Sequence, residues 1–362
     1  MTIFLVIVIL VLLIIVHELG HFFVAKTFRV KVEEFGIGYP PRAFTLGKFG
    51  GTEYTINWIP FGGFVRLFGD EAGTQRRRGG FVDANRGVQA AILLAGVAMN
   101  VVAAWFLFTV AFHMGVPRVV ETLVPGQNAK LLVANVVPGS PADAAGIKPG
   151  DEIKDMTEAS GKTPSALSPS AVVDFVKERA GKPINLTYVH EGISHETTVT
   201  PANAVIPHAA GQPALGIQLA LVANQALPWS SAAAAAIFET RDAFVLVAGD
   251  LWGLLSGALR GSFDISEVVG PVGIVSYVGQ ASQNGWGTVL FLAGIISVNL
   301  AIINLIPIPA LDGGRIAILL FEVGMRRSAS HLALQMFNAL GIGLIVLLMI
   351  VVTYQDIGRL LV

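Results

Sequence analysis

The stretch VHELGHF (16–22) directly follows MTIFLVIVILVLLII (1–15). An uncharged apolar run thus leads straight into two histidines and a glutamate. Charged or strongly polar side chains near the middle of a bilayer cost on the order of 2.5–3.5 kcal/mol each on insertion scales, so they persist where they do something. On a helix, His17 and His21 are one turn apart and share a face, so both imidazoles can reach one ion, while Glu18 is rotated away by about 100°. That offset suits a general base rather than a ligand. A zinc ion would partner both buried histidines at once. Histidines satisfied by helix–helix hydrogen bonds are the alternative.

Working outward, the whole chain is apolar. Of its 362 residues, 53% are hydrophobic and only 14% charged, with mean hydropathy +0.67. That is too apolar for an ordinary soluble domain and reads as a polytopic membrane protein. A net charge of −1 gives no global attraction for nucleic acid. Without cysteine there is no disulfide framework and no thiolate zinc site, so a metal must be held by His and carboxylate.

Four segments are long and apolar enough to span a bilayer: 2–24, 88–112, 286–306 and 332–353. The first lacks a basic n-region and a cleavage site, so it reads as a retained helix. The first connection carries Lys26, Arg29, Lys31, Arg42, Lys48, Arg66, Arg76, Arg77, Arg78 and Arg86, and the third carries Arg315, Arg326 and Arg327. This excess places both connections in the cytoplasm. The second connection holds ten Lys/Arg over about 173 residues, dilute enough for export. Both termini then lie outside.

Within the exported connection, LLVANVVPGSPADAAGIKPGDEI (131–153) reads as a strand, a turn, a short helix and a second turn. A helix follows at about 169–180, with strands at 184–190, 196–201 and 214–222. The expected organisation is 1–117 for the first two spans, 118–222 for an α/β domain, 223–285 for a linker and 286–362 for the last two spans. Residues 231–260 are apolar but interrupted by Asp250. A fifth span there would reverse every later one, so an amphipathic helix on the outer interface is expected instead. YTINWIPFGGFVRLFGD (54–70) suggests a β-hairpin around Pro60, Gly62 and Gly63, either at the surface or dipping into the membrane site.

A catalytic zinc usually takes three protein ligands and leaves a fourth position for water. NLIPIPALDGG (304–314) breaks the third span with Pro307 and Pro309 and then presents Asp312 before paired glycines. The count of spans puts Asp312 on the same side as HELGH, although on its own it also reads as an ordinary turn residue. The remaining histidines, His113, His190, His195, His208 and His331, are scattered. His190 and His195 read as surface residues.

VHELGH in a first span with NLIPIPALDGG in a later one resembles the site-2 protease family of intramembrane zinc metalloproteases. EFGIGYPP (34–41), the FGGF hairpin, LAGVAMN (94–100) and GPVGI (270–274) resemble the bacterial branch that carries an exported PDZ domain, and PGSPADAAGIKPGDEI (138–153) resembles such PDZ modules. The resemblance implies a polytopic α-helical membrane protein of four transmembrane helices, with an inserted extracytoplasmic PDZ-like α/β domain and a membrane-associated β-hairpin. It implies Zn2+ bound by His17, His21 and Asp312, with Glu18 as general base. It implies substrate contacts from Asn304, Gly62 and Gly63, and from Asn100, whose motif departs from the family's in having Val97 after Gly96. The implied partners are membrane lipids and single-span membrane proteins in the inner (plasma) membrane, cleaved as in regulated intramembrane proteolysis, with anti-sigma factors or remnant signal peptides as examples. Two rival readings are an ion-translocating protein and a catalytically silent scaffold presenting the PDZ-like domain.

Overall fold

A computed structural model of the chain describes residues 1–69, 78–120, 129–190, 192–203, 212–261, 268–326 and 331–361. Arg76, Arg77, His208 and Arg327 lie outside the described residues. Two compact units emerge: Met1–Met114 with Leu227–Val362, and Gly115–Ala226.

In the first unit, helix α1 (Thr2–Thr27) runs through the apolar leader and the HELGH motif without a break. Its burial is inverted relative to a soluble helix. Ile3, Phe4, Leu12 and Phe23 are exposed, while His17, Gly20 and His21 are buried with Leu13 and Ala25. This is the pattern of a helix solvated by lipid, with polar side chains turned toward protein. Strands β1 (Val32–Phe49) and β2 (Thr52–Leu67) follow. Helix α2 (Arg86–Met114) packs against α1. After the second unit come α5 (Trp229–Leu259), α6 (Pro271–Gln283), α7 (Trp286–Leu305), α8 (Asp312–Met325) and α9 (His331–Leu361). Among the described residues, four helical segments are long and apolar enough to cross a membrane: Thr2–Thr27, Arg86–Met114, Trp286–Leu305 and Leu334–Arg359.

Between the first two spans, the structure departs from a simple hairpin turning at FGGF. The tight turn lies at Gly50 and Gly51, with φ of 56° and 80°, and FGGF falls inside β2. Both strands are bent, so one stretch pairs on two sides. Phe35 meets Val65 on one side and Tyr54 on the other, and Ile37 meets Gly63 and Ile56. The numbers fall against the 63–66 stretch, as in antiparallel pairing, but rise together against 53–56. The Gly-rich FGGF segment is therefore a kink that turns the end of β2 back along β1, a use of glycine inside a strand that mimics a turn signal. A core of Ala25, Val30, Val32, Leu67, Phe81, Ile92, Leu93 and Leu319 joins the root of this sheet to α1, α2 and α8.

Helix α5 covers the 231–260 segment expected as an interfacial helix. It buries Ala232, Ala236, Thr240 and Ala243, a stripe at helical spacing, and packs against α2 and α7. The Trp105 indole donates to the Ala233 carbonyl at 3.1 Å. Small side chains let helices approach closely where lipid supplies no hydrophobic drive.

In the second unit, β3 (Val116–Val119), β4 (Ala129–Val136), β5 (Glu152–Glu158), β6 (Ile184–His190), β7 (Ile193–Val199) and β8 (Ile217–Gln225) form one antiparallel sheet in the order β3-β8-β4-β5-β6-β7. Helices α3 (Pro141–Ala144) and α4 (Pro169–Lys177) begin with Pro after Ser140 and Ser168, whose hydroxyls accept from the Asp143 and Ala171 amides. Ser at the cap and Pro at the first position are the favoured helix start. Val172, Phe175 and Val176 of α4 join Leu131, Ile153, Met156, Ile184 and Leu186 in a core of this unit's own. His190 approaches buried Asp151 at 2.6 Å, and His195 is exposed.

Candidate metal centre

The α1 turn carrying His17 and His21 faces α2 across a very short gap. A Cβ on Gly20 would collide with the Ala95 carbonyl, so glycine here sets the approach of the two backbones. Asp312 reaches the same point from far along the chain. After α7 ends, Pro307 and Pro309 prevent the helix from continuing, and the chain reverses into α8 with Asp312 as its first residue. Side chains on Gly313 and Gly314 would strike the carbonyls of Leu305, Ile306 and Ile308. The paired glycines thus fold the start of α8 back onto the end of α7.

His17 Nε2 stands 3.0 Å from Asp312 Oδ2, His21 Nε2 stands 3.2 Å from the same oxygen, and the two Nε2 atoms are 3.1 Å apart. Zinc ligands at about 2.0–2.1 Å in a tetrahedral shell lie roughly 3.3 Å from one another, so this triangle has the size that zinc requires. The donor set fits as well: two imidazoles and a carboxylate, with a backbone carbonyl fixing one ring. His21 Nδ1 lies 2.7 Å from the Ile92 carbonyl, which can only accept, so the proton sits on Nδ1 and the Nε2 lone pair faces the centre. The Asp312 carboxylate supplies the anionic oxygen that a metal needs beside two neutral imidazoles. Gly96 completes the cradle. A Cβ there would strike His21 Nε2 and come within 2.6 Å of His17 Cε1.

The model of peptidase family M50 matches residues 5–348. The chain belongs to that family, the site-2 proteases. It is 33% identical over 347 residues to a candidate zinc metalloprotease of Clostridium perfringens, covering 95% of each chain. It is also 26% identical over 428 residues to the zinc metalloprotease RasP of Shouchella clausii, covering 96% of each. A PDZ domain of an SdrC-like protein from Listeria monocytogenes aligns with 28% of this chain and 93% of its own length, at 21% identity and a TM-score of 0.21.

Around this M50 centre the other expected residues take varied positions. Glu18 is half-buried beside the triad, and the Val65 backbone amide hydrogen-bonds to it. Gly63 packs directly on it: a Cβ at Gly63 would lie 3.3 Å from Glu18 Cγ. Gly62 has φ of 101° and lies against the Tyr39 ring, and Asn304 is half-buried in the last turn of α7. Asn100, expected as a substrate contact, is 0% exposed, with Nδ2 3.3 Å from His17 Nδ1. Sequence reasoning gave no role to Gly96 and did not reach Ser297, whose hydroxyl donates to the Asn100 carbonyl at 2.8 Å and ties α7 to α2. Gly96 was findable, because it lies one turn from Asn100 on the same face.

Proposed function

We propose that this chain is an intramembrane zinc metalloendopeptidase that cleaves single-span membrane proteins within or near the inner membrane. The carrying observation is the convergence of His17, His21 and Asp312, the first and last separated by 295 in sequence number, on one point of ligand-sized dimensions. His17, His21 and Asp312 would hold the ion. Bound zinc supplies a Lewis acid that makes water nucleophilic near neutral pH and stabilises negative charge developing on a carbonyl oxygen.

The chain's own residues do the rest. Glu18, adjacent to the ligands but not one of them, accepts the proton from the attacking water and returns it to the leaving amine. A transmembrane helix hides its carbonyls in internal hydrogen bonds, so a substrate must unwind before it can react. The end of β2 beside Glu18, around Gly63 and Val65, offers a strand edge on which an unwound segment can pair, and Gly63 leaves room for it. Asn304 contacts the substrate backbone beside the chain break. The loops carrying Lys and Arg face the cytoplasm, while both termini and Gly115–Ala226 lie outside. That outer unit acts as a PDZ-like module that excludes substrates whose exported part an earlier protease has not yet trimmed.

The test is Glu18→Gln in purified protein with a membrane-embedded reporter. Zinc content stays at wild-type level, while cleavage falls by about 10²–10⁴, the usual contribution of a general base. Undiminished cleavage overturns the assignment. Wild-type protein that passes ions across liposomes without cleaving favours a transporter, and protein that holds no zinc favours a scaffold.

A further inference from the structure

Asn100 is a costly residue to keep where it stands. It is fully buried on α2, and its Oδ1 has no hydrogen-bond partner. An unpaired buried amide oxygen is destabilising, and an apolar side chain of the same size would pack there without that cost. What the position offers is proximity to His17 Nδ1, at 3.3 Å from the amide group. The opposite ring atom, Nε2, is the one turned toward Asp312 and His21. For His17 to present a lone pair at Nε2, its proton must reside on Nδ1, and an Nδ1–H needs an acceptor. His21 has one in the Ile92 carbonyl. His17 has Asn100 once the amide is turned so that its oxygen, rather than Nδ2, takes the position 3.3 Å from His17 Nδ1, since which end of an amide is oxygen is decided by the network around it.

We infer that Asn100 is a positioning residue whose side-chain oxygen accepts the His17 Nδ1 proton, fixing the tautomer and ring angle with which His17 meets the metal. This rests on the zinc reading above and adds to it a second tier of the site on α2. The backbone supports it: Ser297 of α7 donates to the Asn100 carbonyl, so the residue is anchored from both neighbouring helices. Gly96, one turn earlier, leaves the space in which the two rings meet.

The role makes a reversed pair of predictions that packing does not. Asn100→Leu removes the acceptor but fills the volume, so zinc affinity, measured by chelator competition on the full-length protein in detergent, falls by about 10–100-fold. The melting temperature of the zinc-free variant holds or rises. Asn100→Asp keeps an acceptor for the imidazole N–H, so its zinc affinity stays within a few-fold of wild type even though a carboxylate is buried. Leu binding zinc as tightly as wild type, or Asp losing as much affinity as Leu, overturns the inference while leaving the zinc site standing. Wild-type protein that binds no zinc removes the reading beneath it, and the inference with it.

Discussion

At the scale of single residues, the metal centre depends as much on a missing side chain as on those present. Gly96 faces both imidazoles, and a methyl group there would overlap His21 Nε2 and crowd His17. Alanine is otherwise the better helix former by about 1 kcal/mol, so Gly96→Ala should leave α2 folded or strengthen it. The rings would have to turn away from Asp312. The expected outcome is a zinc-to-protein ratio far below wild type with an unchanged or higher melting temperature of the zinc-free protein. Normal zinc loading would show that the rings have room to yield. The three converging side chains were legible in the sequence because His17 and His21 repeat at helical spacing inside an apolar run, and Asp312 follows a proline-broken helix. Asn100 was legible as a polar residue on a span, but its burial against His17 was not. Helical spacing tells which residues share a face, whereas whether that face meets a substrate or the back of a ligand depends on how two helices are juxtaposed.

At the scale of elements, hydropathy located the first three long apolar helices within a few residues and ended the fourth several residues early, at 353 where α9 runs on to Leu361. For the sheet it anticipated a hairpin but not where it turns, because a glycine pair that kinks a strand and one that closes a hairpin look alike in composition. In α5 it did not foresee the alanine stripe that packs the helix against α2 and α7. GPVGI (270–274) acquires a meaning only in three dimensions. It opens α6, whose cap residue Gly270 has no side chain to accept from the first amides. Asp356 of α9, only 3% exposed, substitutes for one: Gly270 N–H and Gly273 N–H donate to its two oxygens at 3.2 and 2.8 Å. A Cβ on either glycine would crowd that carboxylate. A negative charge at a helix start is favourable both as a hydrogen-bond acceptor and toward the dipole. Asp356→Ala should therefore cost about 1 kcal/mol, within the range of lost helix caps, and Asp356→Asn less. Thermal unfolding in detergent reads the difference. Equal stability of all three proteins would mean that α6 and α9 are held together by other contacts.

At the scale of the whole molecule, the chain keeps its chemistry and its folded insertion in separate units, and the junction between them is prepared. Leu227 N–H donates to the Phe112 carbonyl at 2.9 Å, His113 Nδ1 lies 2.9 Å from the Leu227 carbonyl, and the His113 ring stacks on Trp229. The two strands of chain entering and leaving the insertion are thus closed together within the first unit. Residues Gly115–Ala226 have a hydrophobic core of their own, so they are the segment to replace by a short Gly/Ser linker. None of the described metal ligands, nor Glu18, lies in the excised part. The shortened protein should bind zinc with wild-type stoichiometry and cleave a reporter that has no exported domain at a similar rate. If the outer unit screens substrates, a reporter still carrying a folded exported domain should be cleaved faster by the shortened protein than by the full chain. Equal rates on that reporter, with zinc binding intact, would remove the screening role and leave the intramembrane centre unaffected. Loss of zinc would instead show that the insertion supports the helices it interrupts.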